Sequence, residues 1–359
     1  MRCSPFSIPC LRPEMRVWIQ NPFDNLPEEG YRKQRYRLLA EAFRAHGEET
    51  VLWTSFFSHA NKKPRKLIAP LPEWVRIIEA PRYTKNLSLK RVFSHLVYAV
   101  KWYRSAVREG LVARPDIIVS SIPTISGAVA AIRLGRKFRA QVVIDLQDAW
   151  PETFERVLPR WLLSPLRLVA RWVYRHADAV TGVCERYRSL TGREDFYRAY
   201  HGMEFEPVER KTPPGNRRYV YAGALGRSYD LSSWIDKVEK DPDLTLDIAA
   251  NQPIKTSCER IRQHGYLERE KLMKLLASCD VGIIPMSADS WVGLPYKLCD
   301  YVQARLKIET TLGGECADFV ERWNAAIERG EDLAELLWQL DARQIYPRYV
   351  AHILRSARK

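Results

Sequence analysis

The sequence predicts an α/β protein made of two doubly wound units, and three observations carry that expectation. Apolar strand-like runs alternate with helical stretches in two successive series. The segment Lys211-Thr-Pro-Pro-Gly-Asn-Arg-Arg218 breaks all periodicity between them. A length of 359 residues, with 46% apolar and 28% charged side chains, suits two compact domains and excludes a disordered or fibrous chain.

The first series opens with a strand at Met15–Gln20. Met15 reads as a natural start, which leaves residues 1–14 as an expected disordered extension. Arg35 to His46 places Leu38, Leu39, Ala42 and Phe43 at helical spacing and closes at Gly47. Strand-like runs follow at Thr50–Thr54, Val75–Glu79, Asp116–Ser121, Gln141–Leu146 and Ala179–Val183. After the break the alternation restarts, with strands expected at Tyr219–Ala222, Thr245–Ala250, Asp280–Pro285 and Lys307–Thr311. Helical runs lie at Leu267–Ser278, Pro295–Ala304 and residues 334–357. Such alternation implies parallel sheets with helices on both faces, hence two Rossmann-like domains facing across a cleft. The expected boundaries are 15–205, 206–345 and a C-terminal helix or tail over 346–359. Ligands in such sheets sit beyond the carboxyl ends of the strands.

Several function classes drop out. No run of 18 uncharged apolar residues exists, so no membrane span is expected, and residues 1–14 lack the apolar core of a signal peptide. The cysteines at 3, 10, 184, 258, 279, 299 and 316 form no C-x-x-C pair, as suits reduced cytoplasmic thiols. No H-E-x-x-H occurs, and Asp241-Pro-Asp243 sits in a polar turn, so no metal site is expected. No RNP-like, helix-turn-helix or zinc-finger pattern supports a nucleic-acid-binding protein, and no G-x-G-x-x-G follows a strand.

Charge is unevenly spread. The net +14 falls entirely within residues 1–205, which hold 34 basic and 20 acidic side chains; residues 206–359 hold 23 of each. One half is built to meet something anionic, and an anionic membrane surface or nucleic acid would fit. Arg167, Arg171 and Arg175 follow Ser164-Pro165, a good helix start, at four-residue spacing. Leu166, Val169 and Val173 occupy another face. In Asn86–Gly110, Lys101, Arg104 and Arg108 share a side, while Leu89, Val92, Phe93, Leu96, Val100, Tyr103 and Val107 form an apolar stripe. Either each apolar stripe is core and each basic stripe is solvated, or these are surface helices lying on anionic lipid.

Two places carry chemistry. After the Asp280–Pro285 strand and a loop, Pro295-Tyr-Lys-Leu-Cys-Asp-Tyr301 starts a helix, and Pro295 suits its first position. A helix N-terminus at a strand end is an anion site; Lys297 adds charge to it, and Asp300 can accept hydrogen bonds from a ribose diol. The alternative is an ordinary helix with Lys297 and Asp300 on its wet face. Asp145-Leu-Gln-Asp-Ala-Trp-Pro-Glu152 also follows a strand directly, and Asp148 is its carboxylate best placed to touch a sugar hydroxyl. The alternative there is a turn cap beside Trp150.

The segments Gly293-Leu-Pro-Tyr-Lys-Leu-Cys-Asp-Tyr301 and Thr310-Thr-Leu-Gly-Gly-Glu315 resemble the donor site of family-4 retaining glycosyltransferases with the GT-B fold. Tyr221-Ala-Gly-Ala-Leu-Gly-Arg227, His264–Leu272, Ala277–Pro285 and His201–Pro207 are similar to further segments of that family, in its order. In the N-terminal half, Asp145–Glu152 resembles its acceptor-side loop and Gly30-Tyr-Arg32 its first glycine loop. This resemblance implies transfer of a sugar from a nucleotide-diphosphate sugar to a lipid-linked or glycan acceptor, with retention and with neither cofactor nor metal. It implies donor contacts from Gly223, Arg227, Pro295, Lys297 and Asp300, sugar or acceptor contacts from Gly30 and Asp289, and a catalytic part for Asp148. With the basic half it implies a cytoplasmic protein, peripheral on the inner face of the membrane. The sequence departs from the family where Val292 and Asp300 replace two glutamates, where no lysine follows Arg227 nearby, and where Ser120-Ser-Ile-Pro-Thr124 replaces a histidine. A catalytically lapsed nucleotide-sugar-binding subunit is therefore the rival expectation.

Overall fold

The computed structural model describes residues 15–155, 157–206, 215, 217–225, 229–288 and 290–357. The expected extension 1–14 and most of the Lys211–Arg218 break lie outside them, as do Arg227 and Asp289. In chain order the first series comprises β1 (Arg16–Gln20), α1 (Arg35–Ala45), β2 (Glu49–Ser55), β3 (Phe57–Ser58), β4 (Lys63–Pro64) and β5 (Val75–Ile78). It continues with α2 (Leu89–Val112), β6 (Ile117–Ile122), α3 (Ile125–Phe138), β7 (Gln141–Leu146), α4 (Arg160–His176), β8 (Ala179–Gly182), α5 (Arg188–Thr191) and β9 (Tyr197–Arg198). The second series begins with β10 (Arg218–Ala222), α6 (Ser232–Lys240), β11 (Thr245–Ala249), β12 (Ile261–Gln263) and α7 (Arg269–Ala277). It ends with β13 (Val281–Ile284), α8 (Tyr296–Gln303), β14 (Lys307–Thr310), α9 (Glu315–Arg329), α10 (Ala334–Trp338) and α11 (Ala342–Ser356). The helix expected over 334–357 is thus two helices.

Among the described residues, one sheet runs β5-β2-β1-β6-β7-β8-β9 and another β12-β11-β10-β13-β14; β3 and β4 form a separate hairpin. In the second sheet every pairing is parallel. The fold class is therefore α/β with parallel sheets. In both sheets the strand order reverses next to the first strand, at β1/β6 and β10/β13, which makes the carboxyl ends there the natural ligand positions. The chain divides into two compact units, one reaching to Ser120 with Ser126–Val143, the other comprising Ser121–Ile125 and Ile144–Ser356.

The strands are apolar and buried on both faces, as parallel strands covered by helices must be. On β10, Tyr219 and Tyr221 point into one core with Trp234, Leu246 and Ile248. Val220 and Ala222 point into another with Leu298, Tyr301 and Trp323. β12 escapes sequence reading because it is three residues long and only Ile261 is buried.

Helix α2 turns the expected core inside out. Its buried face carries Arg91, Ser94, His95, Tyr98, Ala99, Trp102, Ala106 and Gly110. Leu89, Val92, Phe93, Leu96 and Val100 are half or more exposed, Leu89 by 88%. Small and polar side chains allow close packing on the sheet side, and Gly110 is required there because a Cβ would lie 2.4 Å from the Phe138 ring. Helix α4 also differs: it starts at Arg160, and Pro165 lies inside it. The lost Pro165 N–H falls early in the helix, where the Ser164 hydroxyl and the Arg167 guanidinium donate to the Arg160 carbonyl.

Candidate functional site

Within the second unit, a cavity of about 430 Å³ opens at the carboxyl ends of β10 and β11 and the start of α8. Gly223, Tyr229, Asn251, Tyr266, Lys297 and Asp300 line it. The sequence builds this place from the core outward. Tyr301, on the buried side of α8, lies flat on Gly282 of β13, where any Cβ would approach its ring to 2.5 Å. The Tyr301 hydroxyl accepts the Ala222 N–H at 3.0 Å and donates to the Ile283 carbonyl at 3.1 Å. One side chain thus ties α8 to both strands flanking the order reversal.

That anchoring fixes Lys297 on the first turn of α8. Its ammonium donates to the Tyr221 hydroxyl at 3.1 Å and lies 4.2 Å from the ring centres of both Tyr221 and Tyr229. Burial pushes Lys297 down to about 7, because a charge between two tyrosines has little water to stabilise it. Gly223 adopts φ +137°, which disfavours other residues, and its missing side chain leaves room beside the Lys297 ammonium, 3.4 Å from the position a Cβ would take. Pro295 stands at the N-cap with ψ 150°, one residue earlier than expected. Pro is restricted at φ but free to adopt this extended ψ, and it leads the chain into the helix from outside.

Asp300 borders the cavity and is 8% exposed, but its carboxylate is not free for two ligand hydroxyls. Arg269, at the start of α7, donates to Oδ1 at 2.5 Å and to the Gln303 side chain at 2.7 Å. Sequence reading missed Arg269, although it sits within the quoted His264–Leu272 segment, because nothing in spacing reveals a partner 31 positions away. It likewise missed Tyr221 and Tyr229 as the walls around Lys297.

Asp148 is exposed in the turn after β7, in the same unit as the cavity. Burial, and after it the Asp148 charge, raises the pKa of Tyr229, a wall of the cavity. The same pair of causes acts on Tyr187. Gly30 lies in the first unit, where it ends a short 3-10 turn at φ +85° and its N–H bonds to the Pro27 carbonyl at 2.8 Å. Its place is set by that left-handed turn. Arg171 and Arg175 are exposed, but Arg167 is withdrawn from the expected basic stripe: it pairs with Glu152 at 3.2 Å and with Glu155, leaving its side chain 17% exposed. A four-residue spacing fixes the face of a helix but not whether an acidic loop covers part of it. Among the described residues, no group of three or more His, Cys, Asp or Glu side chains comes together as a metal site, and no helix is long and apolar enough to cross a membrane.

Two sheets of this kind, each reversing its strand order beside its first strand, define a doubly wound α/β class of fold. Comparison makes the class specific. Residues 33–201 match the model of the glycosyl transferase 4-like domain. No curated protein sequence matches the chain. Among solved structures, Anabaena HepE in complex with UDP-glucose aligns with TM-score 0.59 at 14% identity, over 96% of this chain and 100% of that one. The lipopolysaccharide outer core galactosyltransferase WaaB aligns with TM-score 0.55 at 12% identity, over 96% and 99%. The catalytic domain of Starch Synthase IV from Arabidopsis thaliana, bound to ADP and acarbose, aligns with TM-score 0.59 at 10% identity, over 96% and 100%. Identities this low establish the shared fold. Residues 33–201 thus carry a glycosyl transferase 4-like domain, and the chain as a whole shares the GT-B fold of these solved structures.

Proposed function

We propose that this glycosyltransferase takes a sugar from a nucleotide-diphosphate sugar held in the second unit and attaches it, with retention and without a metal ion, to a lipid-linked or glycan acceptor. The observation that carries the reading is the cavity at the order reversal of the second sheet, where Lys297 and the α8 N-terminus converge. Helix N–H groups and a lysine in a poorly hydrated site favour the charge that gathers on a departing diphosphate. As the bond from the anomeric carbon to the diphosphate oxygen breaks, an oxocarbenium-like centre forms, and the acceptor hydroxyl bonds to it from the same face. Asp148 accepts a hydrogen bond from that hydroxyl and eases its proton loss. Arg227 and Asp289 stand in this reading as a diphosphate contact and a sugar contact. Asp300, steadied by Arg269, faces the nucleoside.

In the same proposal the acceptor side works at the inner membrane surface. Supporting this, α2 presents Leu89, Val92, Phe93, Leu96 and Val100 to solvent on one face, with exposed Lys90, Lys101, Arg104 and Arg108 on the same helix. A stripe of that kind suits an anionic bilayer, with the apolar side chains entering the acyl boundary and the cations meeting lipid headgroups. Arg171 and Arg175 of α4 remain available for a second, weaker contact.

A thermal-shift panel of nucleoside diphosphates and their sugars tests the donor assignment, with UDP and UDP-glucose first because the HepE neighbour holds UDP-glucose. A ligand at a hundred times its Kd adds about 2.7 kcal/mol of stability, so one nucleotide should stand out by several degrees. A flat panel would remove the reading.

A further inference from the structure

In the first unit, four basic side chains converge beyond the carboxyl ends of β1, β2 and β5. His59 and Lys62 come from the turn of the β3–β4 hairpin, which follows β2 directly; Arg91 and His95 come from the first turns of α2. Phe23 follows β1 and Tyr83 follows β5. The Lys62 ammonium lies 3.2 Å from His59 Nδ1, and the Tyr83 hydroxyl lies 2.5 Å from the same nitrogen. Arg91 Nε is 3.4 Å from His95 Nε2, and Arg91 Nη1 donates to the Asn86 carbonyl at 2.9 Å. Phe23 meets both imidazoles edge-on, at 5.1 and 5.3 Å between ring centres, and so sets the two basic pairs on either side of one ring. Arg91, His95 and Tyr83 are buried; His59 and Lys62 are half-buried, on the side open to water.

The electrostatics of the cluster are one-signed. Burial first, then Lys62 and Arg91, push His59 down to about 3. Burial, then Arg91 and Lys62, do the same to His95. Lys62 is itself lowered to about 8 by burial and by Arg91. Bringing cations together out of water costs free energy in the empty protein, and an oxyanion seated among them would offset that cost. A folding role alone would be better served by apolar side chains. Lys62 also holds φ 54°, an uncommon backbone conformation for a residue other than glycine, and this aims its side chain into the cluster. The location is the one where a doubly wound sheet receives ligands.

We infer that His59, Lys62, Arg91 and His95 form an oxyanion subsite, and that the acceptor of this enzyme carries a phosphate or carboxylate group that enters it. Only the word acceptor rests on the transfer reading above; the subsite itself stands on the first unit alone. Lys62 and Arg91 supply the charge that an oxyanion would meet. The two imidazoles, each beside one of these cations, report on an anion that enters.

The test follows the imidazole resonances of the full chain labelled with ¹⁵N-histidine, assigned through His59→Gln and His95→Gln. Inorganic phosphate, and separately acetate, is titrated at constant ionic strength. The expected result is a saturable shift of both imidazoles together. It should weaken about tenfold in Lys62→Asn, where asparagine tolerates the left-handed backbone, and stay unchanged in Lys297→Ala. Saturation with phosphate identifies a phosphate ester as the entering group, and saturation with acetate alone identifies a carboxylate. Shifts that never saturate, or that persist equally in Lys62→Asn, overturn the subsite. The donor panel is read separately, so a flat panel beside a saturable shift would remove the transfer reading and leave the subsite standing.

Discussion

Lys297, at the carboxyl edge of the second sheet, stands between two tyrosines on a helix held by Tyr301, whereas at the edge of the first sheet Lys62 and Arg91 stand with His59 and His95. Both edges would receive an anion, but they prepare for it differently. In the second unit burial lowers the lysine to about 7, and the start of α8 lies in the same cavity wall. In the first, the charge stands on side chains in advance, and each cation weakens its neighbours. The difference lies in how many cations each edge gathers: one lysine between tyrosines in the second unit, a lysine and an arginine with two histidines in the first. Under the proposed function each edge has its own step, donor binding at one and acceptor handling at the other.

The largest expected effect tests that division of labour. Asp148→Asn keeps the shape of the β7 turn and removes its charge, and turnover should fall about a hundredfold while donor affinity stays near wild type. Steady-state kinetics beside equilibrium binding would show it, and equal losses in both would erase the division. Lys297→Ala should act the other way, weakening nucleoside-diphosphate binding by about 1.5–3 kcal/mol in calorimetry, because a charge-assisted bond is lost. An unchanged Kd there would remove Lys297 from the donor site. Phe93→Glu on α2 should weaken flotation with anionic vesicles by about 2 kcal/mol, without loss of fold, since the ring is 59% exposed. Undiminished flotation would send the membrane contact elsewhere. The smallest effect is one of pH. With Lys297 near 7 when empty, a bound diphosphate restores its proton, so affinity should fall as pH rises above 7, by at most about tenfold per unit. Calorimetry at pH 8 in two buffers of different ionisation enthalpy would reveal the proton taken up, and identical heats would refute it.

Much of this molecule was legible in its residues. The strands of both series are apolar, short and bounded by turns, and β1, β2, β6, β7, β8, β10, β11, β13 and β14 all appear where those runs lie. Lys297 was legible because a proline, a strand end and a basic first turn coincide. What stayed hidden depends on partners distant in sequence. The Arg269–Asp300 pair and the covering of Arg167 by Glu152 and Glu155 involve contacts that no periodicity encodes. The orientation of α2 was ambiguous for a different reason: one helix face carries leucine, valine and phenylalanine, the other alanine, tyrosine and tryptophan, and either could serve as core. Packing against the sheet chose the face with the smaller residues and the glycine, and left the aliphatic face to the surroundings.

Tyr301 gives the cavity of the second unit a mechanical character. Its hydroxyl bridges the Ala222 N–H and the Ile283 carbonyl, so α8 cannot swing away without breaking into the middle of the sheet. The Ala222 amide should therefore exchange its hydrogen only when the second unit opens as a whole, together with the amides of the sheet centre. A pocket wired into its sheet in this way does not reshape itself around each ligand. In the proposed function, discrimination between donors then falls to its rim, where Tyr266 is 66% exposed.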